Sequence, residues 1–487
     1  MSDDLVLLDA TAQAELVRNG KASPSELVEA ATRRIETLDP QLNAVIHPAL
    51  ERGRERAAAA DLPDGPFRGV PFLMKDIGGE EAGEPMRAGL RFARDAGWKS
   101  TFDSYFTQKT RAAGLVCLGR TNTPELALMP TTEPDAFGPT RNPWSLDHSS
   151  GGSSGGASAA VAAGLVPAAH ASDGGGSIRG PASMCSLVGL KPTRARNSFG
   201  PGMGERWSGF SAEFVVTRSV RDSAALLDVT SGPMPGDPYS ATPPARPYAE
   251  AMHDDPGRLR VGVMKVGPRD IEISPESEQA AGKTAEALEA LGHHVEEAYP
   301  PALDDAAVVA TYVGVVNCNV ARALDAWGEK VGRPVEQADV EPLTWALAQM
   351  GRKVSGPQHL ANVEFVHALG RRLAEWWDGG FDLLLTPTQA APPPEIGTLV
   401  STEDDPLRPF MLSAPYGAYT LPFNLSGQPA ISLPAHWSAD GLPQGAQLVA
   451  AYGREDLLLQ VAAQLEEAVG WLDRRAPLLG GLPEEMR

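Results

Sequence analysis

Along this chain, short apolar runs bounded by turn residues alternate with longer amphipathic stretches, the pattern of strands and helices in an α/β layer fold. The first 60 residues read as helices. Asp9 precedes a short one that ends near Gly20, and Ser23-Pro24-Ser25-Glu26 places an N-cap and a first-turn proline before LVEAATRRIETL. A polar loop at 61–65 leads into GVPFLMK, a buried strand with Lys75 at its end. Residues 104–113 read as helix and GLVCLG (114–119) as the next strand. From Thr121 to Ser150 the chain has loop chemistry, rich in Pro, Thr, Asn and Ser.

Further on, VGLKPT (188–193) reads as strand, a Gly-rich loop spans 199–209, and a helix begins near Ser219. PMPGDPYSATPPARP (233–247) is the best linker candidate. LRVGVMKV is a strand, SPESEQAAGKTAEALEALG a capped amphipathic helix, 300–380 mainly helical, and FDLLLTPT a strand. The segment from APPPEIG to about Pro415 reads as loop. QPAISLPAHW and GAQLVAAYG form a hairpin-like pair before a last helix, REDLLLQVAAQLEEAV.

One stretch does not fit simple alternation: SSGGSSGGASAAVAAGLVPAAHASDGGGSIRGP, from Ser149 to Pro181. Two glycine-flanked serines, Ser153 and Ser177, bracket a segment of small residues that reads as one closely packed helix holding them in register. Hydroxyls at both ends of such a segment describe a built site.

Composition narrows what that site serves. At 487 residues, 42% hydrophobic and 21% charged, the chain is an ordinary globular one. A net charge of −20 argues against a nucleic-acid groove and against binding to an anionic membrane surface. Cys117, Cys185 and Cys318 are too few and scattered for a disulfide framework, which suits a reducing, cytoplasmic setting. The N-terminal MSDDLVLLDATAQAELV lacks the basic and apolar regions of a leader, and the nearest approach to a membrane span, after Gly156, is interrupted by Pro167 and His170.

Lys75, Ser153 and Ser177 together suggest nucleophilic catalysis. Serine needs a base, and a lysine kept neutral by burial can be one. A second hydroxyl can relay the proton, since it both donates and accepts. Gly174, Gly175 and Gly176 leave their N–H groups unobstructed for an oxyanion. Other patterns fail their context. Gly151-Gly152-Ser153-Ser154-Gly155 matches G-x-S-x-G, but loop-like RNPWSLDHSS precedes it instead of an apolar strand. Gly282-Lys283-Thr284 resembles the end of a phosphate loop but lies mid-helix. No His/Cys/Asp group has zinc spacing, so no metal is expected. His293-His294 reads as a solvated helix end, His170 as a structural histidine and Cys185 as a core residue.

With these residues in view, the chain resembles the amidase signature family. The resemblance is carried by GGSSGGASAAVAAGLVPAAHASDGGGSIRGPASMCSLVGLKPT, GVPFLMKD, GRTNTPE, LPFNLSGQPAISLP and GAQLVAAYGREDLLL, and it extends from about residue 5 to 475. It implies a single domain over 1–487: N-terminal helices to 65, a signature core 66–220, a variable helical region 240–380 and a C-terminal sheet and helix 381–475. The implied fold is α/β, a large twisted mixed sheet with helices on both faces, and the region near residue 240 becomes a surface crossover. By resemblance Ser177 is the nucleophile, Ser153 a relay preceded by a cis peptide bond, and Lys75 the base. The N–H groups of Gly174, Gly175, Gly176 and Ser177 form the oxyanion hole, and Asp173 and Arg179 hold the loop. The reaction implied is hydrolysis of a small-molecule amide through an acyl-enzyme, without cofactor. Candidate substrates run from cyclic or linear nylon-type oligomers to aryl or alkyl amides and carbamates, the latter if apolar ELALMP (125–130) lines the acyl pocket. The segments expected to line it are roughly 125–135, 310–350 and 400–420. A subunit acting on tRNA-linked substrates fits the acidic charge poorly, and a non-catalytic scaffold would have no need of all three catalytic side chains. Exposed apolar surface on a 300–380 helix would favour a homodimer. Three positions depart from the family pattern: Gly180 replaces a larger residue, and Ser186 and Ala195 replace glycines.

Overall fold

The computed structural model describes Leu5 and residues 7–479; residues 1–4 and 6, where no leader is expected, and residues 480–487 lie outside the described residues. Among the described residues thirteen strands form: β1 (Val45–Pro48), β2 (Pro71–Lys75), β3 (Val116–Thr121), β4 (Arg141–Asn142), β5 (Ser145–Ser149), β6 (Ala168–Asp173), β7 (Val188–Lys191), β8 (Ala212–Thr217), β9 (Arg260–Val263), β10 (His294–Glu297), β11 (Leu383–Pro387), β12 (Ala430–Trp437) and β13 (Pro443–Ala450). Eleven make one sheet in the order β1-β3-β2-β6-β8-β7-β12-β13-β11-β9-β10. The sheet is mixed: β2 runs parallel to β3 and β6, and β9 to β10 and β11, whereas β6–β8–β7–β12–β13–β11 alternate in direction. The exposed, proline-rich segment 233–247 runs over the surface while strands before and after it share this sheet.

Local signals set many helix ends. Ser23 and Glu26 form a reciprocal capping box at the helix Pro24–Leu42. Ser219 and Ser274 each accept from the N–H three residues on, opening the helices Val220–Thr230 and Pro275–Ala290. Gly282-Lys283-Thr284 lies inside the second of these.

The small-residue stretch differs from its reading as one helix. Only Gly155–Ala162 is helical; after a turn, Ala168–Asp173 becomes β6, a central strand between β2 and β8. Alanines have low strand propensity, so pairing with both neighbours and complete burial decide this element. RNPWSLDHSS, read as loop, is the hairpin β4–β5. His293 is no solvated cap: it is 5% exposed, its Nδ1 accepts from Leu259 N and its Nε2 faces Gln464 Oε1, while exposed His294 opens β10. The segment expected to be all loop before Pro415 includes a short helix, Arg408–Leu412. Ser186 and Ala195 adopt left-handed φ of 58° and 59°, the conformation glycine takes without a Cβ penalty.

Among the described residues, the one helix long and apolar enough to cross a membrane by length and composition is Ala307–Val331, not the segment after Gly156. Val308, Val315, Val316, Val320 and Leu324 form its buried side, packed with the helices Pro342–Gly351 and Gly356–Asp378.

Candidate active site

Two neighbouring parallel strands bring the sequence-predicted residues together. Phe72 and Leu73 of β2 lie beside Ala168 and Ala169 of β6, so the carboxyl ends of both strands reach one place. There β2 ends in Lys75 and β6 in Asp173, followed by the Gly174–Ser177 loop and the helix Arg179–Cys185. Such strand ends are where α/β sheets form crevices. Ser153 arrives from the loop after β5, and the Gly152–Ser153 peptide is cis, as the resemblance implies.

Lys75 is fully buried, and its Nζ donates to Ser153 Oγ at 2.7 Å, Ser154 Oγ at 2.9 Å and Ser172 Oγ at 3.1 Å. Among the described residues no carboxylate pairs with it directly. Ser154 uses its own proton on the Ser172 carbonyl (3.3 Å), so toward Lys75 it can only accept. When Lys75 is neutral its lone pair accepts a hydrogen bond from Ser153 or Ser172; when charged it donates to all three. Turning one hydroxyl serves both states. Burial pushes the Lys75 pKa well below 10.5, the Arg206 charge adds to this, and Asp173 and Glu213 oppose it.

Behind Lys75, His170 Nδ1 accepts from the Lys75 backbone N–H (3.2 Å), and its Nε2 meets Glu213 Oε1 at 2.9 Å. Glu213 also accepts from Gly79 N. With Nδ1 accepting, the proton sits on Nε2, and burial lowers the His170 pKa despite Glu213. Histidine 170 is thus a satisfied structural group, as expected, and Cys185 is buried core.

Arg179 and Asp173 form a fully buried pair, Nε to Oδ2 at 3.0 Å and Nη2 to Oδ1 at 2.9 Å. Arg179 reaches further to Thr420 O, Gln447 Oε1 and Asn424 Oδ1. Burial alone would raise the Asp173 pKa, but the charge and hydrogen bonds of Arg179, with Asn424, hold it below the carboxylate range. Asp173 also accepts from Gly176 N (2.7 Å) and Ile178 N (3.1 Å), which shapes the loop.

That bond corrects one expectation. The Gly176 N–H is committed to Asp173 and is not free for an oxyanion, whereas among the described residues no group accepts from the N–H of Gly174, Gly175 or Ser177. Gly176 has φ of 134°, and a Cβ there would lie 2.4 Å from Thr420 Oγ1. Ser177 Oγ makes no hydrogen bond to Ser153; Ser177 and Gly152, the residue before Ser153, line one cavity.

The cavity is about 300 Å³. The three segments expected to line it do so, with Leu128 and Met129, Tyr312 and Leu347, and Phe410 and Met411 among their contributions. Arg269, Ile271 and Gln389 were not anticipated. Nor were Ser154 and Ser172 as partners of Lys75, although Ser154 stands in the same GGSSGG run. Asn424 lies in LPFNLSGQP, a motif that carried the resemblance but suggested no role. Among the described residues no group of His, Cys, Asp and Glu is arranged to hold a metal.

The chain is 47% identical over 479 residues, 97% of each chain, to 6-aminohexanoate-cyclic-dimer hydrolase of Pseudomonas sp. (strain NK87), and equally to that of Paenarthrobacter ureafaciens. A solved structure of 6-aminohexanoate cyclic dimer hydrolase complexed with substrate superposes with a TM-score of 0.94 at 46% identity, covering 97% of this chain and 99% of the other. A bacterial aryl acylamidase gives 0.86 at 29% identity over 98% and 99%. The amidase family matches residues 26–459, and with a fold shared along nearly its whole length the chain belongs to the amidases, hydrolases of amide C–N bonds.

Proposed function

We propose that this amidase hydrolyses amide bonds of 6-aminohexanoate-type oligomers through Lys75, Ser153 and Ser177. The observation that carries the reading is Lys75, buried among three hydroxyls with no carboxylate directly paired to it among the described residues, behind a cavity lined by Ser177. Neutral Lys75 takes the Ser153 proton as Ser153 takes that of Ser177, and Ser177 Oγ bonds to the amide carbon. The resulting oxyanion receives the N–H groups of Gly174, Gly175 and Ser177. The C–N bond then breaks, the leaving nitrogen gains a proton from Ser153, and Lys75 returns its proton to Ser153. Water adds to the Ser177 ester, and the carboxylic acid and the free enzyme separate. Asp173 and Arg179 position the loop. The catalytic unit in this reading is one domain, supported by the sheet that crosses the linker candidate, in a cytoplasmic setting consistent with three free cysteines.

Sequence similarity to the cyclic-dimer hydrolases supports the oligomer class. One observation favours a second reading, aryl or alkyl amides or carbamates: Leu128, Met129, Leu347, Met350, Phe410 and Met411 give the cavity largely apolar walls. A turnover panel of cyclic and linear 6-aminohexanoate oligomers, anilides, aliphatic amides and aryl carbamates separates them. The first reading expects the oligomers to give the highest kcat/KM and Ser177→Ala to abolish turnover with the fold intact; full activity in Ser177→Ala overturns the mechanism.

A further inference from the structure

Gln389, two residues beyond the end of β11, lines the cavity that holds Ser177. It is 1% exposed, yet its Oε1 is buried without a hydrogen-bond partner among the described residues. The other end of the amide sets its orientation: Nε2 faces the Tyr416 carbonyl at 3.5 Å, a group that can only accept. Buried polar atoms of this kind normally find a partner, and the unmet need here is a donor.

Gly180 gives this side chain its place. A Cβ at position 180 would lie 2.8 Å from Gln389 Nε2 and 3.5 Å from its Cδ, so a larger residue would displace the amide. Gly180 N in turn donates to Gly176 O (2.7 Å), which sets Gln389 directly against the turn that carries Ser177. The departure from the family pattern at 180 and the orphaned oxygen at 389 are therefore one feature.

We propose that Gln389 Oε1 accepts the N–H of the bound scissile amide, so that this site selects secondary amides over esters and N,N-disubstituted amides. The amide C–N bond breaks as described above; Gln389 orients it and exchanges no proton. This inference rests on Ser177 being the nucleophile.

The test compares kcat/KM for the anilide, the N-methylanilide and the phenyl ester of one alkyl acid. In Gln389→Leu the anilide-to-ester ratio is expected to fall about tenfold to a hundredfold, the range for an N–H left without its buried acceptor. The preference for anilide over N-methylanilide should shrink with it. Gly180→Ala, which crowds the amide while keeping Gln389, should move the ratio in the same direction and carries the test if Gln389→Leu fails to fold. An unchanged ratio, or an equal fall on anilide and ester, overturns the proposal and leaves Gln389 a space-filling residue. Ser177→Ala on the same ester and anilide reports separately on the nucleophile, so the two ideas fail in distinguishable ways.

Discussion

Two fully buried basic residues serve the candidate site, Arg179 two positions after Ser177 and Lys75 at the end of β2, and they are partnered in opposite ways. Arg179 faces Asp173 in a bidentate pair. Lys75 faces only hydroxyls and is pushed toward neutrality. Burial is common to both, and the difference lies in the group as much as in its partner: an arginine holds its charge and needs a counter-ion when buried, whereas a buried lysine with no counter-ion gives up its proton readily. One position yields a rigid loop anchor and the other a candidate base.

The sharpest way to break that contrast is to put a permanent charge in the hydroxyl cage. Lys75→Arg should lower kcat/KM by about 10³-fold or more, because a guanidinium cannot take the Ser153 proton; steady-state kinetics on any turned-over amide check this. Removing the carboxylate from the other site should act first on stability. Asp173→Asn leaves Arg179 charged and unpaired at no exposure, and denaturant unfolding should show a loss of about 3–5 kcal/mol.

The two sites should also differ in pH response. With the Lys75 pKa depressed, kcat/KM should rise with pH and level off well before 10.5. Glu213→Gln removes a charge that opposes the depression, so the rising limb should move to lower pH, as a pH–rate profile would show. For stability the signs oppose. Unfolded Lys75 binds its proton more tightly than folded Lys75, so its contribution improves as pH rises from the depressed folded value toward 10.5. The Asp173 contribution is present above 3.8 and lost as pH falls through its still lower folded pKa. Thermal midpoints across pH in Lys75→Met and Asp173→Asn should show these windows disappearing separately.

The smallest expected effect comes from thinning the cage. Ser172→Ala leaves Ser153 and Ser154 around Nζ, and a loss of about twofold to tenfold in kcat/KM is expected, in line with one hydrogen bond among three.

Much of this organisation was legible in the chain itself. Strand ends at Lys75, caps at Ser23, Ser219 and Ser274, and the strand and hairpin patterns near 383 and 430–450 all follow from local rules, because each depends on side chains and backbone within a few residues. The Gly/Ser runs marked where a site would be built. Local rules failed at β6 and in the β4–β5 hairpin. AAHASD contains no β-branched residue, and it is a strand because β2 and β8 flank it with open hydrogen-bonding edges.

Residue types, caps and spacing thus sufficed to mark Lys75, Ser153 and Ser177 and the α/β class, since chemistry and short-range periodicity are written into neighbouring positions. Only the folded chain decided that Ser154 and Ser172 would complete the cage, that Gly176 would give its N–H to Asp173, and that Gly180 would make room for Gln389. Each of these contacts joins groups whose distance is set by the sheet's strand order, and strand order comes from long-range pairing that no local stretch encodes.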